Sequence, residues 1–413
     1  MAVKNSPYKL IEGGVAAPEG FVCSAVPCGI KNPAKLRLDL GLIYSKVPAV
    51  TAAMFTTNKV KAAPVKLCQA HMRTNHIRAV IVNSGNANAC TGPRGNKDAK
   101  TMAEVTAEGL GLETSQVLVG STGIIGLPMP IERITAKIPE LVKSLGRGNG
   151  DAISRAIMTS DTKPKCVSIS FRLGSKTVRI GAIAKGAGMI SPSMGTMLCY
   201  VTTDANIGQT ELRRCVKACV EQTFNRITID GDTSTNDTIV VMANGLAGNR
   251  RIKAGGPQCQ AFRAAMEWVL LQMARAIVSD GERVTKFVEV IVKGAATNTD
   301  ARRVAETVAN SLLVKCSWNG GDPNWGRIMH AIGYSKARIR EDMIDIYFDG
   351  LIATRNGIAA DTPGEQLRRV AARKEFTITI DLNLGQSGYN VYTSDLSQEY
   401  VDFNRTEYAA PVK

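Results

Sequence analysis

Short apolar runs alternate with helical patterns along the whole chain, and loops rich in glycine, asparagine, serine and threonine separate them. Residues 77–83, 116–120 and 178–184 are short apolar runs of the kind that is typical of buried strands. Residues 376–384, FTITIDLNL, alternate strictly between apolar and polar positions, which indicates a half-buried strand. The pattern therefore predicts a mixed α/β protein.

Two longer segments carry apolar residues at helical spacing. Residues 210–224 predict a helix with Thr210 as its N-cap, and residues 257–279 predict a longer helix. The inward positions expected in these two helices are Leu212, Cys215, Val216, Cys219, Val220 and Phe224, then Phe262, Met266, Val269, Leu270, Met273 and Ile277. The chain has no internal repeat, and its softest candidate for a domain boundary is LGRGNGD at 145–151.

The composition is that of an ordinary globular protein. The 413 residues are 44% hydrophobic and 21% charged, and this length suggests two domains or one large layered body. The sequence predicts no transmembrane helix and no secretory signal. The ten cysteines include no CxxC pair, so we expect Cys215 and Cys219 to be buried small side chains rather than metal ligands. A reduced, cytoplasmic protein fits these features best.

The formal net charge of +15 raises the question of an anionic partner. The basic residues are scattered, and their densest spots are short pairs such as Arg213-Arg214 and Arg250-Arg251. No nucleic-acid-binding motif accompanies them. We therefore expect a basic surface that attracts anionic metabolites, with no nucleic acid and no membrane as partner, and keep a non-enzymatic basic binding protein as an alternative.

The motifs of several enzyme classes are missing from the chain. None of the three histidines stands beside a nucleophile elbow, and neither GxSxG nor HExxH occurs. There is no phosphate-binding GxxxxGK[ST] loop, and DGDTSTNDT at 230–238 does not have the spacing of a calcium loop. Histidine-triad, metal and phosphate-loop chemistry are therefore disfavoured, and no metal site is predicted.

The stretch KGAGMISPSMGTMLCYVTTDA at 185–205 offers a different nucleophile. If the chain is cut between Gly195 and Thr196, the new terminal amine lies beside the threonine hydroxyl. The reference pKa of such an amine is about 7.7–8, which suits a general base at neutral pH. Glycine before the threonine tolerates the backbone angles that expose its carbonyl to attack. An ordinary junction of loop and strand with a capping threonine is the alternative at this point.

The surrounding segments resemble those of the ornithine acetyltransferases, or glutamate N-acetyltransferases, of arginine biosynthesis. In that family the corresponding stretch usually reads KGxGMIxPxMATML. The further segments that resemble the family, in family order, are TAAMFTTNKVKAAPV (51–65), NSGNANACTG (83–92), STGIIG (121–126), MTSDTKPK (158–165), FNRITIDGDTSTNDT (224–238), VSDGE (278–282), DPNWGRI (322–328) and SDLSQEYV (394–401). The resemblance therefore spans nearly the whole chain.

The resemblance implies a layered α/β sandwich that cleaves itself between Gly195 and Thr196. The two resulting chains, residues 1–195 and 196–413, would stay associated, and the family suggests a heterotetramer with two copies of each. It implies a ping-pong transfer in which Thr196 takes acetyl from N2-acetylornithine and passes it to glutamate. The reaction needs no cofactor, although some members also use acetyl-CoA as a donor.

The roles of single residues follow from the same resemblance. Thr196 matches the nucleophile, and Thr122 and Gly123 in STGIIG match the oxyanion hole. A hydroxyl and a backbone N–H directed at the developing negative oxygen are what acyl transfer requires.

Four further residues match substrate contacts of the family, namely Thr162, Lys185, Glu282 and Asn404. Lys185 suits a substrate carboxylate and Glu282 suits an amino group, because both substrates are amino acids. The segments NSGNANACTG and DGDTSTNDT are expected to be structural or pocket-lining. We expect their Asn and Asp residues to bind backbone groups in turns rather than to act in catalysis.

The chain departs from the family pattern at three places. Gly195 replaces the usual alanine, and Arg283 and Val284 replace two small residues beside Glu282. The tail FNRTEYAAPVK has alanines at 409 and 410 where hydroxyl residues are expected. These departures leave open a paralogue with a related amino-acid or acyl substrate. An amidohydrolase or aminopeptidase with an N-terminal threonine is the other alternative, since the same acyl-enzyme would serve both.

Overall fold

The computed structural model of the chain describes residues 6–34, 37–74, 76–191 and 197–407, without the side chains of residues 406 and 407. Gly195 and Thr196 lie outside the described residues, so the predicted cleavage site and nucleophile stay predictions. The same holds for the tail from residue 408 onward.

The strands of the described residues are short and mostly buried. In chain order they are β1 (Lys9–Leu10), β2 (Phe21–Pro27), β3 (Leu38–Ser45), β4 (Val50–Phe55), β5 (Ala79–Asn86), β6 (Val117–Ile124), β7 (Lys165–Leu173), β8 (Lys176–Lys185), β9 (Leu198–Thr203), β10 (Thr238–Ala243), β11 (Phe287–Ala295), β12 (Asp345–Phe348), β13 (Leu351–Arg355), β14 (Ile358–Ala359), β15 (Glu375–Asp381) and β16 (Ser387–Ser394).

The helices of the described residues range from one long amphipathic segment to two-turn elements. In chain order they are α1 (Ala63–His71), α2 (Gly92–Leu110), α3 (Ile131–Lys143), α4 (Gly150–Ala156), α5 (Gln209–Gln222), α6 (Pro257–Ser279), α7 (Asn298–Asn310), α8 (Leu312–Asn319), α9 (Trp325–Gly333), α10 (Gly364–Ala371) and α11 (Gln398–Glu407). Short 3₁₀ turns lie at Gly14–Ala16, Thr114–Gln116, Phe224–Arg226 and Glu341–Met343.

The predicted elements are confirmed, with differences at their ends. The helix predicted at 257–279 is α6, and the one predicted at 210–224 is α5, whose N-cap is Gly208 and not Thr210. The twelve positions expected to face inward are all buried. Strands extend beyond the apolar runs: β5 continues to Asn86 and β6 to Ile124, because pairing between the two strands satisfies their backbone groups after the apolar residues end.

The boundary predicted at 145–151 is wrong. The chain divides into two compact units, and the first contains the described residues of 1–186, 193–225 and 233–277. Gly146 lies inside this unit and exchanges two backbone hydrogen bonds of 3.0 Å with Cys23 in β2. The second unit contains the described residues of 187–192, 226–232 and 278–413.

The first unit is a layered sandwich of two sheets. One sheet has the strand order β1-β7-β8-β9-β10-β4, and the other has the order β2-β3-β5-β6. One apolar core is shared by both sheets, since Val82 and Leu118 of the second sheet cluster with Ile183 and Tyr200 of the first. This arrangement confirms the layered α/β class that the resemblance implied.

Helices cover the outer faces of both sheets of the first unit. α2 and α3 pack on the four-stranded sheet, and their Met102 and Ile138 join a core with Leu42 and Ile81. α5 packs against β4 of the six-stranded sheet. Burial of apolar area on both faces supplies the main stabilisation of such a sandwich.

The second unit is built on a sheet with the order β14-β13-β12-β15-β11-β16. Helices α7 to α10 pack on it around a core that includes Val308, Trp318, Ile332 and Ile378. Ser311 and Asn324 cap the N-termini of α8 and α9 with their side chains, which satisfies backbone N–H groups that would otherwise lack partners.

Candidate active site

The end of β6 in the first unit carries Thr122 and Gly123. β6 pairs in parallel with β5, so that Thr122 lies opposite Ser84 and Gly123 lies opposite Gly85, and the register shifts directly afterwards. Gly123 has a φ of 135°, and a Cβ there would lie 2.3 Å from the backbone carbon of Gly85. Only glycine therefore fits this irregular strand end, at which the backbone turns away from regular pairing.

Thr122 is buried and bonded to the next predicted site residue. The ammonium of Lys185, at the end of β8, donates to Thr122 Oγ1 over 3.2 Å. Because an ammonium has donors only, the Thr122 hydroxyl accepts this bond and its own hydrogen is left to be donated to another group. This is the arrangement that a hydroxyl of an oxyanion hole needs. The structure thus brings together Thr122, Gly123 and Lys185, which the resemblance had named separately.

Asp161 supplies a negative charge to a buried cluster around Lys185. Its Oδ1 accepts from Lys165 Nζ over 2.6 Å and from the Gly186 N–H over 2.8 Å, and its Oδ2 accepts from the Thr159 N–H over 3.0 Å. Burial by itself raises the pKa of Asp161, but the Lys165 and Lys185 ammonium groups and the Gly186 N–H outweigh burial and lower it to about 2. The carboxylate therefore stays ionised and offsets one of the two positive charges of the buried lysines.

The strand that follows the predicted cleavage site begins beside Lys185. β9 lies between β8 and β10, and Leu198 is paired with both Lys185 and Thr238. Just before β9, the Met197 N–H donates to Asp237 Oδ1 over 3.0 Å, and Met197 O accepts from the Thr238 N–H over 3.1 Å. Met197, the residue directly after Thr196, is thus held through both its N–H and its carbonyl group.

The polar loop motifs hold these strand ends in place. Asn83 Nδ2 donates to Asn86 O over 2.9 Å, and Asn236 Nδ2 donates to Ala87 O over 2.7 Å and to Ser121 O over 2.8 Å. These bonds confirm the prediction that asparagines of NSGNANACTG and DGDTSTNDT serve backbone groups. Ser121 immediately precedes Thr122, so the motifs support the candidate oxyanion hole indirectly.

Glu282 and Asn404 meet in the second unit. Asn404, on α11, donates from Nδ2 to Glu282 Oε2 over 3.0 Å. A Cβ at Gly188 would lie 2.5 Å from the Glu282 carboxyl, and the Glu282 N–H donates to Ala187 O over 2.8 Å. A side chain at the second glycine of KGAG would displace the Glu282 carboxyl from this position, to which α11 contributes Asn404.

Two further carboxylates of the second unit hold the loops around Glu282. Asp395 accepts from the N–H groups of Thr285 and Lys286 over 2.9 and 3.0 Å. Asp230 accepts from the N–H groups of Met189 and Ile190 over 2.6 and 2.8 Å. Each buried or half-buried carboxylate thus satisfies consecutive backbone donors and fixes the path of a loop.

Arg283, which departs from the family pattern, does not disturb the hydrogen bond between Glu282 and Asn404. Arg283 has a φ of 57°, in the left-handed region that glycine tolerates best. Its guanidinium lies 4.8 Å from the centre of the Phe403 ring, and its carbonyl accepts from Ser397 Oγ over 2.7 Å. A cation–π contact with α11 therefore accompanies the strained backbone at this position.

Sequence reasoning missed Asp161 and Asp237. Thr162 was named from MTSDTKPK, but it is exposed, while its neighbour Asp161 carries the buried ion pair. The signal was present as an aspartate four residues before a lysine, a spacing that is usually a surface feature. Asp237 lies within DGDTSTNDT, a motif for which we predicted a structural or pocket-lining role without catalysis.

The described residues also bear on the predictions about paired cysteines, metal ligands and membrane-spanning helices. Cys215 and Cys219 are buried and their sulfur atoms are 4.0 Å apart, as expected of packed thiols. In the described ranges no three His, Cys, Asp or Glu side chains are grouped as metal ligands would be. No helix in these ranges is both long and apolar enough to span a membrane.

Comparison with known proteins identifies the family. The profile of the ArgJ family matches residues 22–409. The chain belongs to the ArgJ family. This result confirms the family predicted from its sequence segments.

Two curated relatives and one solved structure illustrate the similarity. The chain is 49% identical to the arginine biosynthesis bifunctional protein ArgJ of Geobacter sulfurreducens, over 94% of this chain and 98% of that protein. It is 42% identical to the glutamate N-acetyltransferase of Methanocaldococcus jannaschii, over 96% and 98%. A crystal structure of ArgJ from Bacillus halodurans is 38% identical, covers 50% of this chain and 97% of that chain, and has a TM-score of 0.49.

The crowding at Gly123 predicts that alanine is more destabilising there than at Gly126. Gly126 also has a positive φ, of 85°, but a Cβ there meets nothing within 4 Å. We expect Gly126→Ala to cost about 1–2 kcal/mol of unfolding free energy from backbone strain, and Gly123→Ala to cost about 1–3 kcal/mol more from the clash with Gly85. Urea unfolding measures both. Equal losses in the two variants would show that Gly123 has no special steric role.

The Asp161 cluster predicts a pH-dependent stability. Since the folded pKa of Asp161 is about 2 and its usual value is 3.8, the ionised form stabilises the fold above about pH 4, and this contribution is lost as the pH falls toward 2. Asp161→Asn removes the carboxylate charge beside two buried lysines and should cost about 3–5 kcal/mol at pH 7. The difference between wild type and variant should shrink between pH 4 and pH 2.

Urea unfolding over a pH series measures this effect, and Asp151→Asn is the matched control. Asp151 pairs with Arg155 over 2.7 Å, but both side chains are more than half exposed. Loss of this exposed pair should cost less than about 1 kcal/mol. A constant difference for Asp161→Asn at all pH values, or an equal loss in Asp151→Asn, contradicts the assignment.

Proposed function

We propose that this protein transfers acetyl from N2-acetylornithine to glutamate through an acetyl-threonine intermediate. The observation that carries the proposal is the bond from Lys185 Nζ to Thr122 Oγ1 at the start of β9, in a chain of the ArgJ family. It leaves a hydroxyl hydrogen and a buried positive charge next to the strand that follows Thr196. The relatives' names, ArgJ bifunctional protein and glutamate N-acetyltransferase, support the same reaction.

The proposed maturation needs only groups of the chain and water. Thr196 Oγ attacks the Gly195 carbonyl, the acyl group moves from nitrogen to oxygen, and water opens the ester. This leaves a carboxylate on Gly195 and a free amine on Thr196. The amine then acts as general base for its own hydroxyl, since its reference pKa is about 7.7–8.

The proposed transfer has two halves. Thr196 Oγ attacks the acetyl carbonyl of N2-acetylornithine, and the bond to the ornithine nitrogen breaks as that nitrogen takes a proton. The glutamate amine then attacks the acetyl-threonine ester, and the hydroxyl is restored. Thr122 Oγ and the Gly123 N–H stabilise the oxyanion in both halves, and one such donor typically contributes about 10²–10³ in rate.

Charged groups of the chain suit amino-acid substrates. We assign Lys185 to a substrate carboxylate and Glu282 to a substrate amino group, with Thr162 and Asn404 as further contacts. Lys185 is 2% exposed and Glu282 is 8% exposed, so both charges lie where water screens them little. The use of acetyl-CoA and the heterotetramer of cleaved chains stay predictions from the resemblance, and the cytoplasmic location stays a prediction from the cysteine content and the lack of a signal.

Replacement of Thr196 tests maturation and catalysis together. Thr196→Ala should remain one intact, inactive chain, because it has no oxygen to attack the Gly195 carbonyl. Thr196→Ser keeps the hydroxyl and should still be cut, more slowly. Intact mass spectrometry of the purified proteins shows whether residues 1–195 and 196–413 are separate. Full transfer activity in Thr196→Ala would falsify the nucleophile assignment.

The dependence on glutamate distinguishes transfer from hydrolysis. Wild-type protein given N2-acetylornithine alone should release about one ornithine per cut chain and carry one acetyl group on the piece that begins at Thr196. Continued release should require glutamate, since the acetyl-enzyme then waits for an amine. Ornithine release and intact mass are measured with and without glutamate. Continuous release that ignores glutamate indicates an amidohydrolase instead.

A further inference from the structure

We propose that Asp237 is a positioning residue for the reacting threonine, because it holds the backbone nitrogen that directly follows Thr196. The inference rests on the proposed self-cleavage and acetyl transfer at Thr196. It adds to them a residue that neither the sequence motifs nor the family resemblance had assigned to the reaction.

The contact between Asp237 and Met197 is buried, and a second hydrogen bond holds the Met197 carbonyl. Asp237 is 0% exposed and Met197 is 1% exposed, and Asp237 Oδ1 accepts from the Met197 N–H over 3.0 Å. The next residue, Thr238, donates its N–H to Met197 O over 3.1 Å. Asp237 is itself anchored, since its carbonyl accepts from the Thr56 N–H over 3.0 Å. The end of β4 therefore holds Asp237, which in turn holds Met197.

The Met197 nitrogen that Asp237 holds belongs to the peptide bond between Thr196 and Met197. The peptide unit between Thr196 and Met197 is planar, so its N–H, its carbonyl group and the two flanking Cα atoms share one plane. Asp237 therefore fixes the direction of the Met197 N–H, and Met197 is joined to Thr196 through this nitrogen. A nucleophile needs such restriction, since a displacement of about 1 Å can reduce a rate about 10²-fold.

The state of the carboxyl group suggests the variant to use. Burial raises the pKa of Asp237 well above its usual value, and the neighbouring Thr56 and Ser234 hydroxyls and the Lys185 ammonium oppose that shift only in part. Asparagine keeps an accepting oxygen in the place of Oδ1 and carries no charge, in line with the direction of this shift. Oδ2 makes no hydrogen bond within the part of the chain that the structure describes, so Oδ1 provides the contact to Met197.

Three replacements of Asp237 separate positioning from packing. Asp237→Asn keeps an oxygen for the Met197 N–H, whereas Asp237→Ala and the better-filling Asp237→Val remove it. The matched control is Asp39→Ala in the same unit. Asp39 is 2% exposed and accepts from the Cys28 and Ile30 N–H groups over 2.6 and 2.7 Å, so its loss also leaves buried donors unpaired.

The experiment uses the full chain, with thermal melting as the check of folding. Intact mass gives the cut fraction over time, and kcat and KM for transfer from N2-acetylornithine to glutamate are expressed per cut chain. We expect Asp237→Ala and Asp237→Val to lose about 10- to 100-fold in kcat with KM within about twofold. Asp237→Asn should recover kcat to within about threefold of wild type, and Asp39→Ala should lower the melting temperature and keep kcat.

The outcomes are decisive in each direction. If Asp237→Ala and Asp237→Val are not cut while Asp237→Asn and Asp39→Ala are, the positioning role is supported at the maturation step. Wild-type kcat in a folded Asp237→Ala or Asp237→Val, or an equal loss in Asp237→Asn, overturns the proposal while acetyl transfer by the wild type stands. An uncut wild type without transfer activity would instead remove the proposed function itself.

Discussion

A buried ion cluster is the constraint on which the candidate site depends. Lys185 ends a central strand with only 2% of its surface exposed, and a buried ammonium is tolerated only with a counter-charge and hydrogen bonds. Asp161 supplies the charge and accepts the Gly186 N–H as well. The Lys185 ammonium can therefore reach Thr122 Oγ1 on another sheet. The cluster thus links the 159–165 loop, the end of β8 and the end of β6 in one arrangement.

The chain fixes its loops mainly with carboxylates and amides that bind backbone groups. Asp230, Asp237 and Asp395 each accept from the N–H of loop residues near the predicted site positions, and Asn236 donates to carbonyls beside Thr122. Such bonds replace the pairing that regular strands and helices provide and leave the loop side chains available. The loops between the apolar runs are therefore rich in Asn, Asp, Ser and Thr because such side chains bind the backbone groups of the loops.

The departures from the family pattern differ in their physical consequences. Arg283 occupies a left-handed backbone position beside Glu282, but its side chain turns to Phe403 and leaves the bond between Glu282 and Asn404 intact. A bulky cation can therefore stand at this position without displacing the carboxylate.

The sequence by itself determined the class, the family and most of the elements. Apolar runs and helical spacing located β5, β6, β8, α5 and α6, because burial of a face imposes a period on the residues. The resemblance of eight segments and the 185–205 stretch to the ornithine acetyltransferases predicted the family and the roles of Thr122, Gly123 and Lys185. It also predicted Thr196 as the nucleophile, a role that only the sequence supports. The apolar runs predicted β5 and β6 to end too early, since the two strands continue to pair after the apolar residues stop.

Tertiary structure alone decided which of these residues meet and what holds them. Asp161 binds the Gly186 N–H across 25 residues, and Asp237 binds the Met197 N–H across 40 residues. No local pattern records such contacts, because the same aspartate spacing occurs on solvated surfaces and in ordinary turns. Residues 145–151 carried the composition of a linker, yet their backbone pairs with β2, because a neighbouring strand offered partners that composition does not reveal.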